Sequence, residues 1–149
     1  MAVLVNSVEI SASAEAVFEY ASDLANELEW GEPLRIVKVT EGPVGVGTHF
    51  EAEWKGSGRI DVEYVAMEPP RSWATLGHSP KMDVNLAAEV TPLAPDRARI
   101  TVTMELLPHG ALRLLLPLIK RAMQKTEEKN LAALKAAIER RAAGLGARS

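Results

Sequence analysis

Residues Glu41–Trp54 read EGPVGVGTHFEAEW, with glycines at 42, 45 and 47, and two folds compete for them. A glycine run of this density suits a loop that cradles phosphate. Such a loop ends a buried strand and opens a helix, because the helix N-terminus supplies the amide donors and the dipole. The residues after Gly47 have the wrong period: Thr48, Phe50, Ala52 and Trp54 alternate with His49, Glu51, Glu53 and Lys55, the pattern of a strand with one wet face. The spacing G-x-x-G-x-G also matches neither G-x-G-x-x-G nor the Walker pattern, and no Gly-Lys-Ser or Gly-Lys-Thr occurs in the chain. The stretch reads as a tight turn into an antiparallel strand.

The strands continue on both sides. After a Lys-Gly-Ser-Gly turn, RIDVEYVAM puts Ile60, Val62, Tyr64 and Ala66 on one face and Asp61 and Glu63 on the other. Pairing the two apolar faces sets Trp54 opposite Ile60 and Lys55 opposite Arg59, with a Gly-Ser-Gly loop. That register sets Glu51 against Glu63 and Glu53 against Asp61, a solvated acidic face balanced in part by Lys55 and Arg59. Pro69 and Pro70 end the strand. SWATLGHS and MDVNLAAEV come next as strands, PLAPD as a turn, and RARITVTMEL closes the sheet with Ile100, Val102, Met104 and Leu106 inward. Upstream, Val3–Ile10 is a first strand, Ser13 caps a helix with apolar positions 14, 17, 18 and 21, residues around Ala25, Leu28 and Trp30 prolong or follow it, and LRIVKVT is a second strand.

Beyond Pro108 and Gly110 about 30 residues lack glycine until Gly144. Apolar positions Leu112, Leu115, Leu116, Ile119, Met123, Leu131, Leu134 and Ile138 make this one amphipathic helix about 45 Å long, bent at Pro117 unless it begins there.

The 149 residues fit one domain, 1–149, with a core over 3–139 and a disordered tail at 143–149. With 17 basic against 20 acidic residues and 5% aromatics, the chain lacks the electrostatic and stacking signature of a nucleic-acid binder. Absence of cysteine excludes disulfides, thiolate metal sites and cysteine nucleophiles. MAVLVNSVEIS lacks the basic region and the apolar length of a secretory signal, and ALRLLLPLIKRAM falls short of the roughly 20 apolar residues of a membrane span. A cytoplasmic protein with no stable membrane insertion is expected, as monomer or homodimer.

The order strand, helix pair, six or seven antiparallel strands and long terminal helix, with SASAEAVFEYASDL, GPVGVGTHF, MEPPRSW and NLAALKAAIE, resembles the START-like (SRPBCC) superfamily. More narrowly it is similar to the bacterial polyketide cyclase/dehydrase and lipid-transport group, which shares the helix-grip fold of the birch-pollen allergen. The resemblance implies an α+β fold in which a curved sheet wraps the last helix, two short helices follow the first strand, and no cofactor is held. It also implies an apolar cavity of roughly 300–1,000 Å³ between sheet and helix.

The inward pattern assigns that cavity Trp30 at the mouth, Phe50, Trp54, Val62, Tyr64, His78, Leu86 and Met104 from the sheet, and Leu112, Leu116, Ile119 and Met123 from the helix. A small hydrophobic or amphipathic ligand, lipid-like or polyketide-like, fits this lining. An enzyme of the cyclase or dehydratase type would use Tyr64 or His78 for proton transfer, although Trp73 and His78 have opposite parity, so a regular strand turns only one of them inward. A third reading is a protein-interaction module of stress response or toxin regulation. No metal site is expected, since His49, His78 and His109 are far apart in sequence, and no serine lies in a G-x-S-x-G elbow.

Overall fold

The computed structural model describes residues 1–147. Seven antiparallel strands form one sheet: β1 (Ala2–Ile10), β2 (Arg35–Lys38), β3 (His49–Trp54), β4 (Gly58–Glu68), β5 (Ser72–His78), β6 (Met82–Ala94) and β7 (Arg97–Pro108), in the order β1-β7-β6-β5-β4-β3-β2. Helix α1 (Ala14–Ala21), a 3₁₀ turn (Leu24–Asn26) and α2 (Glu27–Trp30) link β1 to β2, and a second 3₁₀ turn (Gly110–Leu115) leads into α3 (Leu116–Ala147). This is a helix-grip fold: the sheet closes around a helix of 32 residues, about 48 Å at 1.5 Å per residue.

Local chemistry fixes the ends. Ser13 caps α1 by accepting from the Ala16 amide at 3.1 Å. The glycine stretch carries positive φ at Gly42 and Gly47, and the Gly47 amide bonds the Tyr64 carbonyl at 2.8 Å, so this stretch turns the chain into β3. Helix α3 begins at Leu116, so Pro117 stands in its first turn, where a missing N–H costs no helix bond. Its end lies at Ala147, three residues past Gly144, so the first part of the 143–149 tail is helical and Arg148 and Ser149 lie outside the described residues.

Three pairings depart from those expected. The β3–β4 hairpin is slipped by two residues from the expected register: Glu53 faces Arg59, Trp54 faces Gly58, and Glu51 faces Asp61. The loop is Lys55-Gly56-Ser57, tightened because Gly56 and Gly58 both take positive φ and the Ser57 hydroxyl accepts from the Trp54 amide at 2.9 Å. Arg59 bonds both Glu51 and Asp61, at 3.1 and 3.3 Å, and relieves their opposition. In β4 a bulge between Tyr64 and Ala66 turns Ala66 out and packs Met67 against the core in its place. Strand β6 runs through Pro92, which sits beside an irregularity in its ladder to β7, so only Pro95 and Asp96 remain as the turn.

Helix α3 is tied to the edge strand β1. Asn6 and Gln124 exchange amide hydrogen bonds of 3.3 and 2.6 Å, Lys135 donates to the Glu9 carbonyl at 2.9 Å, and Glu139 accepts from the Ser11 amide at 2.8 Å.

Candidate functional site

Sheet and helix meet in two ways. Along the second half of α3, Leu131, Leu134 and Ile138 are buried with Val90, Ile100, Phe18 and Trp73 in one continuous core. Along its first half, Leu116, Ile119 and Met123 are only half-buried, as are Met82, Val84 and Leu86 on the sheet beneath them. These six side chains pack against a second, small buried cluster of Ala2, Leu4, Met104 and Leu106, and stay partly exposed around it. The grip is fully buried at one end and partly open to solvent at the other.

Gly77 marks a close approach of β5 to its neighbours. A Cβ at this position would lie 3.0 Å from the Val84 carbonyl oxygen and 3.3 Å from Ile60 Cγ2, so β5 passes where no side chain fits. Gly77→Ala is expected to cost about 1–3 kcal/mol by overpacking, read as a lower denaturation midpoint at unchanged m-value.

Two buried carboxyls come from α3 and α2. Glu127 lies four residues after Met123 on the stripe that runs Leu116, Ile119, Met123, Leu131, Leu134, and it is 8% exposed. Glu27, from α2, accepts from the Trp54 indole N–H at 2.5 Å. Burial pushes the Glu27 carboxyl up to about 7; the indole hydrogen bond opposes this and the Glu127 charge adds to it. Burial also raises Glu127, against a hydrogen bond from Asn130. Among the described residues neither carboxyl is in an ion pair. A pair of carboxyls without a counter-cation, beside half-buried apolar side chains, can accept a proton or a hydrogen-bond donor from a molecule seated there.

The residues assigned from sequence divide accordingly. Leu86 packs against both cores; Met104, Leu116, Ile119 and Met123 cluster at the open end, whereas Trp30 and Trp54 pack against the closed core. Phe50, Val62 and Tyr64 are sealed in the closed core, at 1%, 8% and 1% exposure, and Leu112 sits half-buried in the 3₁₀ turn outside both clusters. Tyr64 is fully engaged: its hydroxyl donates to the Ser22 carbonyl at 2.5 Å and accepts from the Leu24 amide at 3.0 Å. Burial raises its pKa far above the ordinary tyrosine value.

His78 points the other way. Trp73 takes the inward parity of β5, at 7% exposure, and His78 stands on the outer face with its side chain 70% exposed. There Nδ1 lies 2.5 Å from Asp83 Oδ1, and His109 Nε2 lies 3.4 Å from Asp83 Oδ2. The antiparallel ladder thus brings together two histidines that are 31 positions apart in sequence. Among the described residues no group of three His, Cys, Asp or Glu is arranged to hold a metal ion.

Two hollows lie away from the open end. One of about 840 Å³ runs between the start of α1 and the β4–β5 and β6–β7 turns, walled by Glu15, Arg71, Glu89 and Pro92. The other, about 390 Å³, lies between β1 and α3 beside Asn6, Leu131 and Lys135. Neither is the space between sheet and helix that the inward pattern assigned to a ligand.

The sequence signal for Glu127 was present, a charged residue on an apolar stripe. None marked Glu27, which sits in a helix of four residues and meets Trp54 across 27 positions.

These features define the helix-grip architecture of the START-like superfamily. The chain belongs to the polyketide cyclase / dehydrase and lipid transport family, whose model matches residues 1–139. Among solved structures it is similar to the Zhui aromatase/cyclase from Streptomyces sp. R1128, with 14% identity, a TM-score of 0.81 and 95% of each chain covered. It is also similar to a START superfamily protein from Mycobacterium smegmatis, with 18% identity and a TM-score of 0.76 over 93% of this chain and 97% of that one. A third is norcoclaurine synthase from Thalictrum flavum in complex with dopamine and hydroxybenzaldehyde, with 16% identity and a TM-score of 0.67 over 92% and 86%. At these identities the likeness is one of fold. No curated protein matches the chain in sequence.

Proposed function

We propose that this protein binds a small amphipathic molecule between the sheet and the first half of α3. The apolar body of the ligand lies against Val84, Leu86, Ile119 and Met123, and its polar end, carrying a hydrogen-bond donor, meets Glu27 and Glu127. The observation that carries this reading is the half-buried state of the apolar side chains packed where sheet and first half of α3 meet, with two carboxyls that no cation compensates. Family membership supports it, since the family's description joins cyclase chemistry to lipid transport.

Uptake of N-phenyl-1-naphthylamine, an apolar amine whose fluorescence rises on leaving water, tests it. Micromolar binding is expected, and Leu86→Trp, which fills the gap, is expected to weaken it at least tenfold while the circular dichroism spectrum stays that of the parent. Absence of uptake, or uptake indifferent to Leu86→Trp, overturns the reading.

The raised Glu27 carboxyl favours a second reading, an enzyme of the cyclase or dehydratase kind. A group titrating near neutrality beside an apolar space can take a proton from a carbonyl compound and return it. Glu27 then replaces Tyr64 and His78 in that role, because the first is engaged with backbone and the second faces outward. Turnover of a poly-β-ketone substrate that Glu27→Gln abolishes and His78→Ala leaves intact would establish it; equal activity in Glu27→Gln would rule it out.

A further inference from the structure

The segment from Leu107 to Thr126 contains Arg113, Lys120, Arg121 and Lys125 and no acidic residue, in a chain whose formal charge is −3. Among the described residues none of these four cations is in an ion pair. The same segment holds three outward leucines, Leu114 at 84%, Leu115 at 48% and Leu118 at 65% exposure. They occupy the 3₁₀ turn and the first turn of α3, whose other side presents Leu116 and Ile119 to the open grip. Folding has therefore left large apolar side chains in water beside unpaired cations, at the rim of the space assigned to the ligand.

We propose that this turn and the start of α3 form a docking surface for an anionic phospholipid bilayer, which places the open end of the grip against the membrane. The chemistry is that of a peripheral element: leucines enter the boundary between headgroups and acyl chains, and arginine and lysine meet the anionic headgroups. Charge complementarity singles out this partner. A net negative protein is repelled from an anionic surface as a whole, so binding has to come from a local face such as this one, where four cations fall in twenty residues without an acid. The element lies on the membrane and does not cross it; among the described residues no helix is long and apolar enough to do so. A bilayer at the rim would let an apolar ligand pass between membrane and grip without entering bulk water.

Co-sedimentation of the full chain with vesicles tests this. Binding is expected to vesicles of phosphatidylcholine with about one third phosphatidylglycerol, to fall at least tenfold in pure phosphatidylcholine, and to weaken as salt rises toward 0.5 M, where the Debye length shrinks to about 4 Å. The double variants Leu114→Glu/Leu118→Glu and Lys120→Glu/Arg121→Glu are each expected to lose binding at least tenfold. The substituted side chains are exposed, so both variants should keep the parent spectrum and their uptake of N-phenyl-1-naphthylamine. Vesicle binding unchanged in both variants, or none in the parent, overturns the proposal. Binding lost in both variants by a parent that takes up no naphthylamine supports the docking surface while removing the ligand reading.

Discussion

Tyr64→Ala is expected to lower the unfolding free energy by about 3–5 kcal/mol, the range for deleting a buried aromatic ring. Domains of this kind hold about 5–15 kcal/mol in total. Tyr64 is among the largest fully buried side chains, and its ring lies 6.0 Å from that of Phe50. Tyr64→Phe isolates the hydroxyl. That oxygen joins β4 to the link between α1 and the 3₁₀ turn, through the Ser22 carbonyl and the Leu24 amide. Phenylalanine leaves both backbone groups without this partner at a cost of about 1–3 kcal/mol. Urea unfolding of the two variants separates the contributions, with the midpoint shifting and the m-value constant. A neutral Tyr64→Phe would show that the hydroxyl bridges nothing of consequence and would return the residue to the groups available for chemistry. The expected result assigns it to architecture: it anchors the segment from which α2 projects Glu27.

The faces of the strands were legible in the sequence and their pairings were not, for one reason. Side-chain direction repeats every two residues, so Phe50, Ala52, Ile60 and Val62 turn inward in either hairpin register, and a slip of two preserves every face. Only the turn chooses between registers, and it does so through the positive φ of Gly56 and Gly58 and the Ser57 hydroxyl, details that alternation does not encode. The bulge after Tyr64 is invisible for the same reason, because an inserted residue leaves the pattern apolar on both sides: Val65, Ala66 and Met67 offer three apolar candidates for one inward place.

The opposite parity of Trp73 and His78 was legible, but its sense was not. Burial of the indole against Phe18, with ring centroids 5.5 Å apart, decides it and sends the histidine out to Asp83. The candidate site divides along the same line. Its apolar wall follows from periodicity in Leu86, Met104, Ile119 and Met123, whereas the carboxyl of Glu27 depends on a tertiary contact with Trp54. Where the grip stays open is a property of two surfaces together, and no single stretch of sequence states it.

Glu27→Gln is expected to raise stability at pH 8 by about 3 kcal/mol and to leave it unchanged at pH 4. The folded-state pKa of about 7 lies above the ordinary 4.5, so between these values the folded protein binds the proton more tightly than the unfolded chain does. Stability from this group is therefore fully present below pH 4.5 and declines as pH rises, until the carboxyl has ionised above about pH 7. The rise from 4.5 to about 7, at about 1.36 kcal/mol per pH unit, sets the size of the loss. Glutamine keeps the length and the carbonyl oxygen that accepts from the Trp54 indole, and it removes the titration. Glu9 and Glu139, whose pKa values are lowered by Arg99 and Lys135 hydrogen bonds respectively, pull the other way in acid, but they are common to both proteins and cancel in the difference. Glu127 is raised as well, so the variant retains part of the slope and Glu27→Gln/Glu127→Gln flattens it further. Chemical unfolding at half-unit steps from pH 4 to 8 checks the prediction, and a variant less stable than its parent at pH 8 overturns it. The sign bears on function. A fold that becomes more stable when a carboxyl is neutralised is holding that carboxyl against its own folding preference. A ligand that brings a hydrogen-bond donor or a positive charge to Glu27 relieves the same penalty, so its binding should strengthen between pH 6 and 8 as the parent's stability declines.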